Sequence, residues 1–178
     1  MTELAREYGT GLYELAAEEK KEQDWLEQLV QLQACLKEHP ELVQLLGNMS
    51  LSREERTSIL DSVFRGQVDG YLLNFLKILC ERGAMHEFPG CADVYHALYN
   101  KTNGIRSAVV TTAVPLSPAQ REALLQKLVS MSGSRVELAE RVDPAVLGGV
   151  MVEMDGKRYD DTLAHRLTGM HRAISGQA

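Results

Sequence analysis

The sequence lacks any apolar run long enough to cross a bilayer. Such a helix needs roughly 18 or more consecutive apolar residues, and charge interrupts every window of that length. The opening of a secretory signal is missing too: Met1 to Gly11 carries Glu3 and Glu7, with neither a basic start nor an apolar core. Nor is this the Arg-rich, acid-poor opening of a transit peptide. These absences predict a chain that works in or near the compartment where it is made and meets a membrane only through partners. Cysteine is sparse. Cys35, Cys80 and Cys91 are odd in number and include no CxxC pair, so the reading is three reduced thiols acting as small apolar fillers.

Basic character is also scarce. Across 178 residues the formal net charge is −6, whereas phosphate binding needs a basic face; nucleic acid is excluded as a partner. The deficit is uneven. Residues 1–104 hold 10 Lys and Arg against 17 Asp and Glu, a balance of −7, and residues 105–178 hold 9 against 8, a balance of +1. Two units with different surfaces and different partners are expected. Apolar residues at 44% and charged residues at 25% suit folded domains rather than disorder.

The chain has plenty of helical periodicity in its first hundred residues. Leu4, Tyr8, Leu12 and Leu15 recur at three- and four-residue steps, as do Trp25, Leu29, Leu32 and Leu36. Pro40 stops the second helix near His39 and suits the first turn of a third, which carries Leu42, Leu45 and Leu46. Ser52 with Glu55 is a capping box for a fourth helix through Ile59, Leu60 and Val63. Asp69 caps a fifth, the most apolar, with Leu72, Leu73, Phe75, Leu76, Ile78 and Leu79, and Gly83 stops it. A sixth runs from about Pro89 to Asn103, with Val94, Tyr95, Leu98 and Tyr99, ending at Gly104. This predicts an all-α six-helix bundle over 1–104.

The pattern then changes. Arg106 to Val114 is rich in Val and Thr and reads as a strand ended by Pro115. Ser117, Pro118 and Gln120 open a helix through Leu124, Leu125 and Leu128, closed by Gly133. Arg135–Val142 and Leu147–Met154 read as strands, with Asp155-Gly156 turning the second into Lys157–Tyr159. A last helix is expected from about Asp161 to Ile174. Residues 105–178 are thus a small α+β domain, and the fold class is α+β overall.

Catalytic constellations are absent. Cys91 and His96 find no second ligand pair with metal-like spacing, and zinc needs about four converging ligands. His165 and His171 stand six apart on the last helix, not at the three or four that would align them. Asp160-Asp161 precedes a helix, where acids favour the N-terminal dipole. No Gly-rich turn precedes a Lys and Ser/Thr, so no phosphate loop exists. Gly148-Gly149, read inside a strand, suggests a bulge or close backbone approach rather than a nucleotide site. No enzyme activity, cofactor, metal or direct nucleotide binding is expected. A hydrolase using Cys91 or Asp160 would need a pocket with a perturbed titrating group.

Four segments resemble one family, the delta subunit of bacterial and chloroplast ATP synthases, whose mitochondrial counterpart is the oligomycin-sensitivity-conferring protein. Tyr8-Gly9-Thr10-Gly11-Leu12-Tyr13-Glu14-Leu15-Ala16 is similar to its first helix. Asn74-Phe75-Leu76-Lys77-Ile78-Leu79 with Glu81-Arg82-Gly83 is similar to its fifth. Val110-Thr111-Thr112-Ala113, Pro115-Leu116-Ser117 and Gln120 resemble the opening of its C-terminal domain. Val142-Asp143-Pro144, Leu147-Gly148-Gly149-Val150, Asp160 and Arg166-Leu167 resemble its tail. The family usually has alanine at Gly9 and Gly11, and glycine then serine at Asp161-Thr162. Two helical glycines cost about 1 kcal/mol each against alanine, so the first helix should depend on packing.

The resemblance implies a non-catalytic stator subunit that couples proton flow to ATP synthesis. It implies a place on the cytoplasmic face of a bacterial plasma membrane, peripheral and within the complex. The N-terminal domain would receive alpha-subunit N-terminal helices on its first and fifth helices, with Tyr8, Leu12, Phe75, Leu76 and Leu79 as candidate contacts. The C-terminal domain would grip the b subunits of the peripheral stalk around Leu147, Gly148 and Gly149. A helical-bundle adaptor of another assembly is the alternative.

Overall fold

The computed structural model describes residues 2–48, 51–146 and 148–160. The expected last helix, with His165, His171, Arg166 and Leu167, lies outside the described residues, and so does Leu147. The chain divides into two compact units between Tyr99 and Asn100, five residues before the break in composition at Gly104.

The first unit is helical: α1 Glu3–Glu19, α2 Glu22–Glu38, α3 Pro40–Gly47, α4 Arg53–Phe64, α5 Gly70–Glu81 and α6 Phe88–Thr102, whose last three residues count with the second unit. Local chemistry sets the ends. The Thr2 hydroxyl accepts from the Ala5 amide and starts α1, and Ser52 with Glu55 closes both hydrogen bonds of the capping box on α4. Asp69 caps α5 by accepting from the Tyr71 amide at 3.0 Å. A 3₁₀ turn, Met85–Glu87, joins α5 to α6 and had no signature in the sequence.

Trp25, Leu29, Leu60, Leu72, Phe88 and Tyr95 are among the side chains that fill the core. Fully burying one such apolar side chain contributes about 1.5–3 kcal/mol. On α1 the buried line differs from the expected stripe. Ala5, Gly9, Leu12 and Ala16 face inward, while Leu4, Tyr8 and Leu15 are only half-buried. Small residues win because α1 crosses α6 closely: a β-carbon on Gly9 would meet the Cys91 carbonyl oxygen at 2.6 Å, and one on Gly90 the Ala5 methyl at 3.1 Å. One buried charge holds α3, α4 and α5 together. Arg56 on α4 is 3% exposed, and its Nη1 donates to the carbonyls of Leu46 and Cys80 at 3.3 and 2.9 Å. Both lie at helix C-termini, where carbonyls and dipole favour a cation.

The second unit has strands β1 Arg106–Thr112, β2 Val136–Val142, β3 Val150–Met154 and β4 Lys157–Asp160, with helix α7 Pro118–Ser132 between β1 and β2. The sheet order is β2-β1-β3-β4. β1 and β2 are parallel, which the intervening α7 permits; the other two pairings are antiparallel. Ala108, Val110, Leu138, Val152 and Met154 form the core with Leu128 of α7. Asp155 and Gly156 both have positive φ, 52° and 73°, as a two-residue hairpin turn requires.

β3 begins three residues later than expected. Gly148 and Gly149 do not lie inside a strand; they precede β3 with φ of 131° and 89°. The backbone there leaves the extended region altogether, which is the reason for glycine.

Candidate functional site

α1 and α5 run antiparallel with a groove between them. Tyr8 meets Phe75 edge-on, with ring centroids 6.3 Å apart, and the Arg82 guanidinium sits 5.8 Å from the Tyr8 ring centre, within cation–π range. At the other end the Tyr71 hydroxyl donates to Glu19 at 3.3 Å, and its ring lies against Trp25. Between these contacts is a cleft of about 350 Å³. Leu12 and Phe75 are its floor, Tyr8 and Leu15 line one wall, and Tyr71, Asn74 and Ile78 line the other. Tyr71 and Ile78 are 42% and 45% exposed. α5 therefore carries more apolar surface than its core face uses.

Tyr8, Leu12 and Phe75 come together here as expected. Leu76 and Leu79 do not reach the groove; both are fully buried and back α5 against the bundle. Leu15, Tyr71, Asn74 and Ile78 also line the groove and were not among the candidates, although Leu15 and Ile78 were read as apolar helix positions. Gly11 also lines the groove, and a β-carbon placed on it would meet nothing within 4 Å.

In the second unit Val114, Pro115, Leu116, Gly148, Gly149 and Val150 lie around a cavity of about 430 Å³. Val114 is 69% exposed. The glycine pair thus stands beside apolar surface at one end of the sheet. A larger cleft of about 700 Å³ opens around Val30, Val43, Met85 and Phe88 in the helical unit; no sequence signal marked it.

Neither Cys91 nor Asp160 lines any of these sites. Burial pushes the Cys91 thiol up to about 11, with Glu87 adding to the effect, and raises Cys80 as well. A thiol held neutral in this way is a poor nucleophile. Asp160 sits at the end of β4 with Arg158 at 3.5 Å. Among the described residues no group of three or more His, Cys, Asp or Glu side chains is placed to hold a metal, and no helix is long and apolar enough to cross a membrane.

The family model described as ATP synthase delta (OSCP) subunit matches residues 4–174. The ATP synthase subunit delta of Alkaliphilus oremlandii is 31% identical over 176 residues, covering 98% of both chains. That of Lactiplantibacillus plantarum is 30% identical over 172 residues, covering 96% of this chain and 94% of its own. A chain in the mitochondrial ATP synthase hexamer of Toxoplasma gondii matches with a TM-score of 0.76 over 97% of this chain and 98% of that one; at 17% identity this shows likeness of fold. With nearly the whole sequence matched, the chain belongs to the ATP synthase delta (OSCP) subunit family.

Proposed function

We propose that the α1–α5 groove receives the N-terminal helix of an alpha subunit of the catalytic head, and that the second unit grips the b subunits of the peripheral stalk. Family membership makes the chain a non-catalytic stator component of the F-type ATP synthase. Torque from the rotating shaft acts on the head, and a stator must hold it by slow-dissociating contacts. A nanomolar joint corresponds to about 12 kcal/mol of binding free energy.

The observation that carries the head-side reading is the groove itself. An amphipathic helix seats its apolar face between two walls through anchors at i, i+3/i+4 and i+7. From Glu7 to Leu15 the α1 wall spans about 12 Å, or two helical turns, which suits two or three such anchors. The Val114 cavity with its glycine pair supports the stalk-side reading, through close approach of a partner to backbone that carries no side chain. The bacterial relatives support a reading in which the chain sits, within this assembly, on the cytoplasmic face of a bacterial membrane.

The test is calorimetric titration of the full chain with a synthetic peptide of the alpha subunit's N-terminal residues. Saturable one-to-one binding that Ile78→Asp weakens at least tenfold supports the proposal. A folded chain that binds no peptide refutes it and favours an adaptor role elsewhere in the assembly.

A further inference from the structure

Beside the apolar wall of α1 runs a second stripe: Glu7, Gly11, Glu14 and Glu18, at steps of four, three and four residues on one helix face. All four are exposed. Glu7 and Gly11 themselves line the groove, so this stripe is its outer lip on the α1 side. None of the three carboxylates makes an ion pair among the described residues. Arg82 lies over the Tyr8 ring and Lys21 pairs with Asp69 at 2.9 Å. Glu14 and Glu18 stand at i and i+4, where like charges repel and weaken the helix. The α5 residues that line the groove, Tyr71, Asn74 and Ile78, are uncharged, and one acid, exposed Glu81, follows them on that helix face. In the middle of the acidic lip, Gly11 leaves an open notch.

We propose that this lip sets partner specificity. It selects a docked helix with Lys or Arg along one flank, and the Gly11 notch admits one bulky apolar side chain of that helix between Glu7 and Glu14. The inference rests on the reading of the α1–α5 groove as a helix-docking site and defines the chemistry of its occupant. With three carboxylates along the α1 lip, the occupant's basic flank is drawn toward α1. Each exposed pair contributes modestly and is screened by salt. Three together are expected to change affinity about tenfold at low ionic strength.

The experiment titrates the full chain, its E7Q/E14Q/E18Q variant and its Gly11→Leu variant with the synthetic alpha-subunit N-terminal peptide, at about 20 and 300 mM salt. A second peptide has its Lys and Arg residues changed to Gln. Thermal melts check that each variant is folded. The inference predicts that the triple variant binds the native peptide about tenfold more weakly at low salt, with the difference shrinking at high salt. Triple variant and neutral peptide together should lose little more than either change alone, and Gly11→Leu should weaken binding at both salts. Binding that is unaffected by the three Gln substitutions or by the filled notch overturns the inference while leaving groove docking intact. No binding by the wild-type chain removes the docking reading and the inference with it.

Discussion

Gly9 of α1 lies so close to Val94 of α6 that a β-carbon on the glycine would sit 2.7 Å from the Val94 β-carbon. Real side chains do not approach that closely, so the helices cross where one of them has nothing to place between them. The same α1 turns its larger side chains, Tyr8 and Leu15, to the groove wall. Close packing on one face and an open wall on the other are two results of a single choice of small residues.

Two glycines on one helix should respond in opposite ways. Gly9→Ala gains about 1 kcal/mol of helix propensity, but it forces α1 off the Cys91 backbone carbonyl, and overpacking costs about 1–3 kcal/mol. Net destabilisation is expected. Gly11→Ala meets no neighbour and should stabilise by about 1 kcal/mol. Urea denaturation of the two variants measures both.

Arg56 should be intolerant of truncation. Arg56→Ala removes a buried cation and the donor that links the C-terminal ends of α3 and α5, leaving a cavity as well. A loss of about 2–4 kcal/mol is expected. Arg56→Lys retains charge but not the planar fork and should fall between, by the same denaturation measurement.

The acid limb of stability should depend on Asp69 and Asp61. Burial pushes the Asp69 carboxyl up, but the Tyr71 amide, the Lys21 ammonium and the Trp25 indole together outweigh it, so its pKa is lowered. The Lys77 ammonium, 2.7 Å from the Asp61 carboxylate, lowers that of Asp61. A group with a lowered folded pKa stabilises the fold above its unfolded value, near 3.9 for aspartate, and that stability is lost as pH falls through the folded value. Melting temperature should therefore fall as pH drops below about 4. Asp69→Asn keeps an N-cap of equal preference but should flatten this fall, as should Asp61→Asn.

Gly149→Asp should weaken binding to a soluble b-subunit fragment. At φ 89° an L side chain strains the backbone, and the new carboxylate would stand beside the apolar surface around Val114. Binding equal to wild type in a folded variant would remove this end of the sheet from the stalk-side proposal.

Most elements were legible because their signals are local. Ser52 with Glu55, Ser117 with Gln120, and Asp155-Gly156 each specify a terminus or turn through bonds made within a few residues. The α1 core face was not legible. Hydropathy favours Leu4, Tyr8 and Leu15, whereas helix crossing is decided by Ala5, Gly9 and Ala16, whose small size matters more than their apolarity. The same blindness put Leu76 and Leu79 in the candidate site. Period alone marks a helix as apolar all round but does not say which apolar residues look outward. The glycine pair misled for a similar reason, since Val150 to Met154 is strand-like and its start depends on φ values that no residue count supplies.

The most direct measurement of the central claim is amide NMR of the full chain during titration with the alpha-subunit N-terminal peptide. The groove account predicts the largest shifts at Gly11, Leu15, Asn74 and Ile78, with Val109 and Leu138 of the sheet unchanged. Shifts concentrated around Val30 and Val43, or confined to the sheet, would contradict it.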